Sequence, residues 1–75
     1  MAGASAEYAE RTKPYLKAEL KRAGVSYAEL AKRLSERGLP ETEGSITVKI
    51  NRGAFPAWFL IASLEAIGAS SLRLD

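Results

Sequence analysis

The chain contains no cysteine and no histidine. The first absence excludes disulfide staples and thiolate chemistry, and the two together exclude most zinc sites and the usual general base at neutral pH. Long apolar runs are missing as well. The longest, residues 54–62, is well under a membrane span and is followed by Ser63 and Glu65. No phosphate-binding glycine loop is present, no nucleophile stands beside a base, and Glu41 and Glu43 project to different sides of a helix rather than forming a metal-binding cluster. Neither an enzyme nor a cofactor or metal site is expected. Residues 1–6 are small and polar, without a basic stretch leading into an apolar one; they read as a flexible tail, not a signal peptide, ahead of a single domain at 7–75. The expectation is a soluble, cytoplasmic protein.

What is present is helical punctuation and an uneven spread of charge. Seventy-five residues allow one hydrophobic core of modest stability. The net charge of +2 hides an asymmetry, because residues 11–52 carry ten of the eleven basic side chains and a local balance of +5, while both flanks are slightly acidic. Gly24, Gly38, Gly53 and Gly68 each close a helix-like stretch, where a left-handed C-terminal cap belongs.

Four helices are predicted, and the fold class is all-α. The first ends near Ala23, with Tyr15, Leu16, Leu20 and Ala23 on one face. Its start is open: Thr12 can cap it with Pro14 in the first turn, or residues 6–13 can form an earlier turn kinked at the proline. The second helix opens with Ser26 and Glu29 as a capping box and buries Tyr27, Leu30, Ala31 and Leu34. A turn with Leu39 as an inward plug leads through Pro40 to a third helix over residues 42–52. That helix turns Ile46 and Ile50 inward, with Thr47 beside them, and leaves Ser45, Val48, Lys49 and Arg52 outside. The fourth runs from Pro56 to Ile67 with a core face of Leu60, Ile61, Leu64 and Ile67. Trp58 and Phe59 widen its apolar arc, and a last turn through Leu72 and Leu74 closes the core as a fifth element.

This order, with Tyr-Ala-Glu-Leu-Ala-Lys-Arg-Leu at 27–34 and Lys-Ile-Asn-Arg-Gly at 49–53, resembles the lambda repressor and Cro type of helix-turn-helix domain over residues 16–74. Leu30, Ala31, Ile50, Arg52 and Gly53 stand where that superfamily packs its second and third helices and closes the third. The chain is still more similar to a bacterial family of small domains sharing Leu-Lys-Ala-Glu-Leu-Lys-Arg-Ala-Gly (16–24) and Lys-Ile-x-Arg-Gly-x-Phe (49–55), which carries no assigned biochemical role. Two features depart from the repressor pattern. The stretch 34–46 is longer than the superfamily's tight turn, and Glu41 and Glu43 stand at the end of the third helix that usually enters the major groove.

The resemblance implies a small DNA-binding protein, a transcriptional regulator, that lays its third helix in the major groove. Lys49 or Arg52 would then reach guanine edges or phosphates, Val48 a thymine methyl, and Ser45 either kind of partner. Tyr27 stands where the superfamily often has a phosphate-contacting glutamine; its other reading is a half-buried ring packed on the first helix. Lys17, Lys21, Lys32 and Arg33 would add phosphate attraction, or be ordinary solvated charges paired with Glu29 or Glu36. Phe55, Trp58 and Phe59 are core residues or a homodimer surface. The competing function is accordingly a protein-interaction module on the same scaffold, dimerising through the fourth helix without binding DNA.

Overall fold

A computed structural model describes the backbone of residues 2–69 and of Ser71, with side chains from Ser5 onward. It contains helices α1 (Ala2–Ala23), α2 (Tyr27–Glu36), α3 (Glu43–Arg52) and α4 (Ala57–Ala66), and no strand among the described residues. α3 packs on both α1 and α2, and α4 on α2. Leu16, Leu20, Val25, Leu30, Leu34, Ile46, Ile50 and Phe59 form the centre, contributed by all four helices and the first turn. The turn through Leu72 and Leu74 lies outside the described residues.

α1 is longer than the sequence pattern indicates. It is one 22-residue helix that carries Pro14 inside and takes in the backbone from Ala2, so neither an N-cap at Thr12 nor a tail over 2–6 is seen. Alanine is the strongest helix former, and the alternating alanines at 2, 4 and 6 favour extension backward. Pro14 sits on an exposed side of the helix, where water can satisfy the carbonyl that its missing N–H leaves open. At about 1.5 Å per residue, α1 accounts for most of the molecule's 37 Å long axis.

Helix ends repeat one device. After α1, Val25 N–H donates to the Leu20 carbonyl; after α2, Leu39 N–H donates to Leu34; after α4, Ala69 N–H donates to Leu64. Each is the six-to-one bond that follows a left-handed glycine, and Val25 and Leu39 fold back onto the core as its hydrophobic partners. Gly53 ends α3 in the same conformation, with φ 64°, but under tighter conditions. A Cβ at Gly53 would collide with the Ala9 carbonyl and meet Lys13 Cγ at 3.1 Å. The N-terminal half of α1 therefore rests directly on the closing turn of α3.

The helix starts differ from expectation in an instructive way. Ser26 Oγ accepts from Glu29 N–H at 3.1 Å, yet the Glu29 carboxylate takes Arg33 Nε at 3.0 Å instead of returning to the cap. The complete reciprocal box is at α3: Thr42 Oγ1 accepts from Ser45 N–H at 3.0 Å, and Ser45 Oγ accepts from Thr42 N–H at 2.9 Å. α4 is also rotated relative to the expected core face. Phe59, Ser63, Leu64 and Ala66 are buried, Leu60 and Ile67 are half-buried against the core, and Ile61 is 55% exposed. A helix apolar nearly all round gives no periodicity to choose by. Phe59, fully buried and packed against the tilted ring of Phe55 at 5.0 Å between ring centres, decides which side goes in.

Candidate functional site

The outer face of α3 follows from what its inner face does. Ile46 and Ile50 are fully buried between α1 and α2, which leaves Gly44, Val48, Asn51 and Arg52 exposed on the opposite side, flanked by half-buried Thr47. Val48 is 54% exposed. Thr47 Oγ1 donates to the Glu43 carbonyl at 2.8 Å, so its hydroxyl is occupied within the helix.

Two residues expected on this face are engaged elsewhere. The six-residue turn 37–42 folds Glu41 inward until its side chain is only 5% exposed, and there it accepts from Ser45 Oγ at 2.6 Å and from Lys49 Nζ at 3.0 Å. Lys49, 28% exposed, also lies over the Phe59 ring at 5.5 Å. A carboxylate this far from water needs a cation beside it, and a cation over an aromatic face is attracted by the ring's charge distribution. Lys49 is thus a bracket joining the start of α3 to α4, not an outward reader, and Ser45 belongs to the cap. The same packing removes one of the two acids that stood at the entry to α3: Glu41 is covered and paired, and Glu43 alone remains exposed. The longer turn is what makes this possible, since a tight turn could not bring a carboxylate back beneath the helix it precedes.

The other charged candidates separate into two groups. Arg33 pairs with Glu29 and donates from Nη1 to the Ala66 carbonyl at 2.9 Å, closing the C-terminal end of α4 onto α2. Lys13 pairs with Glu10 and Arg22 with Glu19. Lys17, Lys21, Lys32, Arg37 and Arg52 are exposed, with no carboxylate partner among the described residues, and Arg11 lies over the Tyr8 ring at 5.1 Å. Lys13, Lys17 and Lys21 form an i, i+4, i+8 row on α1. Lys13 lies beside the Gly53 turn that ends α3, and Lys17 and Lys21 continue the row along α1, both exposed. Glu19, Arg22 and Ala23 line the opposite flank, across a shallow cleft from Ile67, Gly68 and Ala69.

Tyr27, the first residue of α2, is half-buried against the core, and burial pushes its phenol above the ordinary tyrosine range. Phe59 is core, Phe55 is half-buried, and Trp58 meets Phe59 edge-on at 6.2 Å while half its surface stays open. Asn51 is the residue that sequence reasoning passed over. Counting seven positions on from the exposed Gly44 would have found it on the outer face. Among the described residues no cluster of acidic side chains could hold a metal ion, and no helix is long and apolar enough to cross a membrane.

No curated protein and no solved structure matches the chain. A family model described as Domain of unknown function (DUF6471) matches residues 8–72, from the exposed Tyr8 on α1 to beyond α4, and the chain belongs to that family.

Proposed function

We propose that this chain is a small DNA-binding domain, acting in transcriptional regulation, that lays the outer face of α3 against the major groove while α1 contributes lysines to the phosphates. The supporting observation is the open face of α3: both buried isoleucines are held from behind by α1 and α2, and nothing in the described chain covers Gly44, Val48, Asn51 and Arg52. A ten-residue helix presented this way fits a groove about 12 Å wide. The likeness of residues 27–34 and 49–53 to lambda-repressor-type domains points the same way. Withdrawal of Glu41 from the surface lowers the electrostatic cost of bringing the start of α3 to a phosphate backbone. Titration of a random-sequence duplex at low ionic strength, followed by a salt series, tests the reading. Binding that weakens linearly with the logarithm of salt is expected, and no binding at low salt refutes it.

A second reading has its own observation. Trp58 and Ile61 stand about half exposed, one turn apart on α4. An exposed apolar pair of this kind suits self-association, and a dimer would place two α3 helices for two half-sites or serve a purely protein partner. Sedimentation of the wild type and of Trp58→Ala distinguishes them: a monomer in both removes this reading.

A further inference from the structure

We propose that α3 selects A·T base pairs, with Val48 against a thymine methyl and Asn51 on the adenine edge of the neighbouring pair; the inference rests on the DNA-binding reading above. Guanine is read chiefly by lysine and arginine. Lys49 is bound to Glu41 and Phe59, so Arg52 at the rim of the face is the remaining cation on α3. Thr47 has given its hydroxyl to the Glu43 carbonyl. The centre of the face is left to one apolar side chain and one amide.

Val48 is a poor helix former, it is apolar, and at 54% exposure it contributes little to the core. The thymine methyl is the one apolar group that the major groove displays. Asn51 is exposed and makes no side-chain hydrogen bond among the described residues. Its amide carries a donor and an acceptor side by side, the complement of adenine N7 and N6. Three residues of helix advance about 4.5 Å, close to the roughly 3.4 Å step between base pairs on one strand. That spacing lets Val48 and Asn51 address neighbouring base steps.

The test uses 20-base-pair duplex pools with identical flanks and a central block randomised over A and T only, over G and C only, or over A and T with deoxyuridine replacing thymidine. An RNA duplex of the A/U composition is the fourth probe. The wild type is expected to prefer the A/T pool to the G/C pool by on the order of tenfold, and thymidine to deoxyuridine by about three- to fourfold, the worth of one buried methyl. Val48→Ala should shrink the thymidine preference and keep most of the binding, and Asn51→Ala should reduce the A/T preference to the part that the methyl contact supplies. Both positions are exposed, and a thermal melt checks that each variant folds. Equal affinity for thymidine and deoxyuridine pools, a thymidine preference undiminished by Val48→Ala, or RNA bound as tightly as DNA overturns the inference while leaving nucleic-acid binding intact. Binding to none of the pools overturns both readings.

Discussion

At the scale of single residues, the most consequential contact is one carboxylate placed where water scarcely reaches it. Glu41 is satisfied by Ser45 Oγ and Lys49 Nζ, and removing the lysine leaves a covered charge with one hydroxyl for company. Lys49→Ala is expected to destabilise the domain by about 2 kcal/mol, below the full value for a buried pair because Lys49 is itself partly solvated. Glu41→Ala should cost a similar amount, and the double variant clearly less than the sum. Urea unfolding of the four proteins checks this. Additive effects would mean that the two charges do not depend on one another. Ser63 presents the opposite case: it is fully buried on α4, and its Oγ has no hydrogen-bond partner among the described residues. Ser63→Ala removes an unsatisfied group and adds helix propensity, so it should raise stability by about 1 kcal/mol in the same assay.

At the scale of elements, the two glycines at 38 and 53 separate two costs that sequence alone runs together. Both have positive φ, but a Cβ at Gly38 meets open space, whereas one at Gly53 meets the Ala9 carbonyl. Gly38→Ala should cost about 1 kcal/mol, the left-handed penalty for a side chain. Gly53→Ala should cost at least about 2 kcal/mol more, on the scale of overpacking a tight contact. Equal losses in thermal unfolding would show that α1 does not bear on the end of α3. The glycines themselves were legible because each follows a run of helical periodicity, and the same periodicity placed Leu16, Leu20, Leu30, Leu34, Ile46 and Ile50 inside. What was not legible depends on contacts distant in sequence. Glu29 chooses Arg33 over its cap, Lys49 finds Glu41 across a turn, and Ile61 is turned out because Phe59 is turned in. Of the candidate interface, Val48 and Arg52 could be read from spacing, Asn51 could have been, and the withdrawal of Lys49 and Ser45 could not.

At the scale of the whole molecule, four of the basic side chains are tied to carboxylates, so the net charge counts for less than the cations left exposed. Among the described residues those are Arg11, Lys17, Lys21, Lys32, Arg37 and Arg52, against exposed Glu7, Glu36, Glu43 and Glu65 outside any ion pair. Their placement can be tested by counterion release, since each phosphate neutralised adds about 0.9 to the slope of log affinity against log salt. Arg52→Ala should lower that slope by about one contact and weaken binding at low salt. Glu36→Gln, on α2, should change little. Glu43→Gln should strengthen binding at low ionic strength, with the gain fading as salt rises, because the acid at the start of α3 would then no longer oppose the phosphates. The direction at Glu43 is the more searching measurement. Removing any surface acid raises the net charge equally, so an effect at Glu43 that exceeds the one at Glu36 locates the duplex at α3, and equal effects at the two would place it elsewhere.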